Sequence, residues 1–333
     1  MAITENNVVY VYRDGDSDSL ALAQDYRDRH SMSSDQLVAV PCSTQEILAN
    51  YTEFQTEVEN TLKSSLATIT GSAIGIDVLA IVLGFNVPGG FYDGSDVISS
   101  TSRVARINFD YLKKEKNCLF DRRNFSRFDS LDATTAYIVS RIDGPTKSFV
   151  EDWMNNSFNI YGNPKISGVF FFDPYSDRAG PLADAYFDDL MEFRDNILFT
   201  LGLEVFETSF VDSYIDPTVP KLEKDSFFWG WFTDRGDSGF FESTSTPRVF
   251  FYNADFDGAF TMRSSTTKRW PKLALENEYA LTAGAMSSPG YDGLLRPFPY
   301  FLALLKGSSN AEAYTFSVPY FNWTMTMFGD PLL

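Results

Sequence analysis

The chain has a single histidine and only two cysteines among its 333 residues. One histidine excludes any zinc site built on several imidazoles. Cys42 and Cys118 are too few for a disulfide framework, and their spacing fits no zinc pattern. Basic residues are also scarce: 27 Lys and Arg stand against 45 Asp and Glu, a formal charge of -18. A surface this acidic repels phosphate backbones, so nucleic acid is not an expected direct partner. No uninterrupted apolar run approaches the roughly 18 residues of a membrane span, since AIGIDVLAIVLGF is too short and carries Asp77. The start, MAITENNVVYVYRDG, has neither the basic nor the apolar region of a secretory signal. The expectation is a protein without membrane insertion or leader, cytoplasmic or virion-associated.

Apolar residues make up 44% of the chain and aromatics 16%, with 31 Phe, which is ample for a large core. The pattern along the chain alternates strand and helix. NVVYVYR is an apolar strand, and DSLALAQDYRDRH places Leu20, Leu22, Ala23 and Tyr26 along one helical face. QLVAVPC is a second strand. Residues 43–67 form an amphipathic helix in which Ser43 and Glu46 have the spacing of a capping box. IDVLAIVLGF is an apolar strand of the kind buried on both faces of a parallel sheet. Residues 86–132 lose this rhythm and are read as an irregular insertion. Strands resume near 136–141, 167–172, 248–253 and 279–284, with LEVFET as a further short one. Helices are expected over 145–156, 181–202, FPYFLALLKG and SNAEAYTFSVPY. Repeated strand–helix–strand units mean an α/β sandwich with a predominantly parallel sheet, here one domain over 1–333.

Functional loops in such sheets lie at the carboxyl ends of the strands. Asp14, Asp16 and Asp18 follow the first strand with the alternate spacing of a calcium loop. The sixth position is Ser19 rather than glycine, and the following residues read as helix. Capping by Asp16 or Asp18 is the plainer reading, and a partial Ca2+ site the competing one. A Cys–His or Ser–His–Asp mechanism would need His30. It stands at the far end of a helix that spans roughly 18 Å, which puts it at the opposite sheet edge from Cys42. Phe227, Phe228, Trp229, Trp231 and Phe232 form an aromatic knot, leading into a Gly- and Asp-rich loop segment at about 227–245. That knot is either a buried wedge or a protein interface.

RIDGPT, FFWGWF, FLALLKGSSNAEA, VPYFNW and the terminal FGDPLL, in this order, resemble an uncharacterised bacterial family found beside exosortase sorting systems. The segment after LLKG and the GDPL ending also resemble the gingipain branch of caspase-like cysteine peptidases. The resemblance implies a caspase-like (gingipain-like) three-layer sandwich. It also implies where a peptidase dyad would stand. The histidine's place is taken by Trp231 in Gly230-Trp231-Phe232, and the cysteine's by Asn253 and Ala254. No thiolate is available at either. The implied function is a non-catalytic component of a larger assembly, acting through protein partners or self-association. The alternatives are an exosortase-linked processing factor, a hydrolase using Asp14, Asp16, Asp255 and Asp257 with a divalent cation, or a virion or filament subunit.

Overall fold

The computed structural model describes residues 3–70, 77–120, 136–160, 169–173, 180–198, 204–207, 225–231, 241 and 248–333. Its strands, in chain order, are β1 (Val8–Arg13), β2 (Leu37–Val40), β3 (Ile47–Leu48), β4 (Ala80–Leu83), β5 (Gly90–Asp93), β6 (Asp96–Ser99), β7 (Glu115–Lys116), β8 (Ile138–Arg141), β9 (Val169–Asp173), β10 (Glu204–Glu207), β11 (Asp225–Trp231), β12 (Arg248–Ala254), β13 (Tyr279–Ala285), β14 (Tyr320–Phe321) and β15 (Met325–Phe328). Ten of them form one sheet, ordered β10-β9-β11-β12-β13-β15-β8-β4-β1-β2. The ladders from β10 to β13 and from β8 to β2 are parallel. Between them β15 runs antiparallel to β13 and meets β8 at one bridge, Phe328–Arg141. Every strand expected from the alternation lies in this sheet, as does LEVFET.

β4, β8 and β13 are buried at every position. Strands take that form when both faces of a parallel sheet are covered. The architecture is the caspase-like three-layer sandwich. The helices are α1 (Ser17–Arg29), α2 (Tyr51–Phe54), α3 (Asn60–Thr70), α4 (Ser100–Val104), α5 (Lys147–Ile160), α6 (Pro181–Phe193), α7 (Trp270–Glu276), α8 (Pro297–Leu305) and α9 (Asn310–Ser317). A π-helical turn, Gln55–Glu59, joins α2 to α3. Among the described residues, no helix is long and apolar enough to cross a membrane.

Three expectations are corrected. The helix expected from residue 43 starts at Tyr51, where the Asn50 side chain accepts from the Glu53 N–H at 3.0 Å. Ser43 and Glu46 form no capping box, because Ile47 and Leu48 are drawn into β3 against Gly90 and Phe91. The supposed irregular insertion at 86–132 contains the β5–β6 hairpin and α4, with 121–135 outside the described residues. It reads as loop because Ser99 to Arg103 are polar, yet all five are buried. Arg103 forks onto Glu59 at 3.0 and 2.6 Å and also donates to the carbonyls of Arg106 and Phe109. Finally, the stretch read as a loop from 227 begins inside β11, which lies between β9 and β12; residues 232–240 and 242–247 are outside the described residues.

His30 and the terminal motif meet in the core. The His30 ring lies 2.7 Å from Asp330 Oδ2, and the Tyr26 hydroxyl donates to Oδ1 at 2.8 Å. The Leu332 N–H donates to Oδ1 at 3.0 Å. His30 and Asp330 are each 5% exposed, so this contact is a dry tie between α1 and the chain end. Asp330→Ala removes the shared acceptor of two buried groups and is expected to cost about 3 kcal/mol in urea denaturation. The same change at exposed Asp35 is expected to stay within about 0.5 kcal/mol. Equal, small effects would show that the terminal motif is not a structural tie.

Candidate functional site

The segments that follow β2, β4, β8 and β12 converge at the carboxyl edge of the sheet. Their meeting point is Asp143, in the turn after β8, whose side chain has no exposure. It is paired with two guanidiniums. Arg141 Nη2 donates to Oδ2, and Arg263 Nε donates to the same oxygen at 2.8 Å. The N–H groups of Asn86 and Gly144 donate to Oδ1 at 3.3 and 3.0 Å. Arg141 is itself fully buried and lies against the backbone of Gly89. A Cβ there would fall 1.8 Å from Arg141 Nη1, so only glycine allows this approach.

Arg263 spans three loops. Besides Asp143 it reaches the Val87 carbonyl at 2.7 Å and the Thr44 carbonyl at 3.2 Å. The backbone N–H groups of Met262 and Arg263 donate to the Glu46 carboxylate at 2.8 and 3.3 Å. Burial, reinforced by Asp143, raises the Glu46 carboxyl above its ordinary range despite Arg141 and Arg263. On the other side, Asn86 Nδ2 donates to Asp16 Oδ2 at 2.8 Å, which also pairs with Arg13 at 3.0 Å. The result is a continuous network from Arg13 through Asp16, Asn86 and Asp143 to Arg263 and Glu46. Such networks are costly unless satisfied, and they rigidify what they join.

The aspartate turn is a helix cap. Asp16 Oδ1 accepts from the N–H groups of Asp18 and Ser19 at 3.0 and 3.1 Å. Burial alone would raise the Asp16 carboxyl; the hydrogen bonds from Ser19, Asn86, Arg13 and Asp18 outweigh it and hold the group below its usual value. Asp14 and Asp18 are exposed. Among the described residues, no three His, Cys, Asp or Glu side chains gather as metal ligands would. Asp255 and Asp257 belong to a different cluster, where Arg269 forks onto Asp257 and lies 3.9 Å from Asp255.

The two positions that the resemblance puts in place of a dyad are neighbours. The β11–β12 register pairs Gly230 with Asn253 and Trp231 with Ala254. Asn253 is buried, and a Cβ on Gly230 would meet its Oδ1 at 2.7 Å. The interface reading of Phe227, Phe228 and Trp229 is overturned: all three are buried within the chain, because β11 is an interior strand. Trp231 contributes backbone to β11, and Phe232 lies outside the described residues. Cys42 is buried beside the network, its thiol pushed up to about 12 by burial, against the pull of Arg13 and Arg263. Cys118 is exposed. Sequence reasoning missed Arg141, Asp143, Asn86 and Arg263, and gave Glu46 the wrong task. The one available signal was RIDGPT, which holds Arg141 and Asp143.

No protein-family model matches the chain, and no curated protein does. A solved structure described as "Structure of Protease" superposes with a TM-score of 0.58 over 99% of this chain and 78% of its own, at 8% sequence identity. At that identity the likeness is one of fold.

Two measurements check this edge. Asp143→Ala strands the buried Arg141 charge and is expected to cost about 3–5 kcal/mol, most of it recovered in Arg141→Met/Asp143→Leu. A loss below about 1 kcal/mol would mean that water reaches the pair. The depressed Asp16 carboxyl contributes stability that is present above its unfolded pKa, about 3.9, and lost as pH falls through the lower folded value. Acid titration of stability should therefore be shallower in Asp16→Asn than in the parent chain. Identical acid limbs would remove Asp16 from the network.

Proposed function

We propose that this chain is a caspase-like protein without cysteine-peptidase chemistry, and that it acts as a binding component of a larger assembly through the carboxyl edge of its sheet. The observation that carries this reading is the disposition of its few nucleophilic groups. The sole histidine of the chain is engaged by Asp330 and packed against Tyr26 and Phe158. Cys42 instead lies beside Asn86, whose carbonyl is 3.9 Å from its Sγ. Cys118 lies in a segment tied to the end of α9, where Asn117 donates to the carbonyls of Thr315 and Val318. Cysteine attack needs a thiolate with a base beside it. Asp330 engages the histidine ring, Asn86 faces the Cys42 thiol, and burial keeps Cys42 protonated at neutral pH.

What this edge retains is recognition chemistry. Arg13 and Arg263, both partly exposed, are held in fixed geometry by Asp16 and Asp143, and planar guanidiniums with defined partners are recurrent elements of protein contacts. The net charge of -18 favours a protein partner over nucleic acid. The order of RIDGPT, FLALLKG and GDPL supports grouping the chain with the exosortase-linked, gingipain-like proteins, as part of the same proposal.

Reduced protein is expected to hydrolyse fluorogenic peptides with Arg, Lys or Asp before the scissile bond only at background rate, and Cys42→Ser/Cys118→Ser should change nothing. In sedimentation at micromolar concentration, alone and with the products of neighbouring genes, a species heavier than the 37.5 kDa chain is expected. Thiol-dependent turnover lost in the double variant would overturn the non-catalytic reading. A strict monomer in every mixture would overturn the assembly reading.

A further inference from the structure

Lys114 carries its ammonium into a site built by two other segments. Its Nζ donates to Asp292 Oδ2 at 3.0 Å, and lies 4.8 Å from the ring centre of Tyr320 and 5.2 Å from that of Trp323. Both rings belong to the VPYFNW stretch. The site holds its shape through bonds that do not involve Lys114. The Tyr320 hydroxyl donates to the same Asp292 oxygen at 2.9 Å. The Trp323 indole N–H donates to the Pro289 carbonyl at 3.2 Å, and its backbone N–H to Ser102 Oγ at 3.0 Å. Gly293 forms part of the wall, where a Cβ would fall 3.1 Å from Trp323 Nε1. Burial alone would raise the Asp292 carboxyl; the hydrogen bonds from Lys114 and Tyr320 outweigh it and hold the group below its usual value. Two ring faces and an ionised carboxylate around one cation have the chemistry of an ammonium receptor.

We propose that Asp292, Tyr320 and Trp323 form a receptor for a primary ammonium, the lysine side chain of a protein partner, and that Lys114 fills it as an internal competitor. Lys114 has φ +54°, in the left-handed region that residues other than glycine seldom enter, and backbone strain of this kind gathers at functional sites. Exchange needs only rotation of one side chain. The Lys114 backbone is fixed separately, by its N–H on the Asn322 carbonyl at 3.0 Å and by the β7–β14 ladder that follows. The internal contact is also weak. The Lys114 and Asp292 side chains are 35% and 28% exposed, and ion pairs and cation–π contacts open to water each contribute little. When the Lys114 side chain swings out, Asp292 keeps the Tyr320 hydroxyl, and the same carboxylate and rings face an incoming lysine. Lys113 lies 5.8 Å from the Trp323 ring centre, but its Nζ is held by the Asp93 carbonyl at 2.7 Å and by Asp96 at 2.8 Å. The charge of -18 favours a cationic partner. No group of the Asp143 network takes part, so this site stands or falls apart from the assembly reading.

n-Butylammonium, which carries the end of a lysine side chain, is the probe, with sodium at equal ionic strength as the reference. Binding is read from the indole N–H resonance of Trp323, assigned with Trp323→Phe. Lys114→Gly suits the left-handed backbone and is expected to melt with the parent chain. Lys114→Asn, which also tolerates that backbone, is expected to behave alike. Removing a competitor that fills the site about nine-tenths of the time should tighten butylammonium binding about tenfold. Adding Asp292→Asn to Lys114→Gly is expected to abolish saturation. Tetramethylammonium, which has no N–H for the carboxylate, is expected to bind more weakly. The receptor is overturned by the absence of a saturable shift in both Lys114 variants, or by a shift that survives Asp292→Asn. Melting of both variants far below the parent would make Lys114 a structural brace and would overturn it as well. Equal binding of the two cations would overturn the assignment to lysine.

Discussion

The carboxylate of Asp143 has no contact with water, and a buried charge persists only when it is paired and hydrogen-bonded. Its partners come from three places in the chain: Arg141 from the end of β8, Asn86 from the loop after β4, and Arg263 from the loop after β12. The two parallel ladders of the sheet are separated by antiparallel β15, so neighbouring-strand hydrogen bonds do not join them directly. Asp143 does so at the carboxyl edge. Gly89 lacks a side chain because Arg141 must lie on its backbone to reach that carboxylate.

The aromatic wealth of the chain serves a different purpose. Phe170 stacks on Phe227, Phe193 on Phe301 and Phe250 on Tyr300, joining the β9–β11–β12 part of the sheet to α6 and α8. Rings of this size supply large buried apolar area together with preferred contact geometries. Short strands of four to seven residues can then form a core without long aliphatic helices. The same density explains why an aromatic run such as FFW is no sign of an interface when its strand is interior.

A fold shared at 8% identity with a structure described as a protease carries architecture and not chemistry. The sandwich positions loops at its carboxyl edge whatever those loops carry. Here they carry fixed guanidinium–carboxylate pairs.

The sequence by itself determined the sandwich. Continuous apolar strands and amphipathic helices are local patterns, and every strand expected from them lies in the sheet. It also narrowed the helix cap to Asp16 or Asp18, because a cap and its N–H donors are close in the chain, and the fold shows Asp16 in that place. The tertiary structure decided everything that depends on distant partners. Ser99 to Arg103 read as loop until Glu59 supplied the acceptors that allow burial. Glu46 had the spacing of a capping residue, yet Met262 and Arg263 claim its carboxylate across more than two hundred residues. His30 could be placed at the end of a helix, but not on Asp330, three hundred positions away. A residue's local pattern fixes where its backbone goes. Which buried charge meets which is decided by long-range packing, because a desolvated group must find its partner wherever the fold brings one.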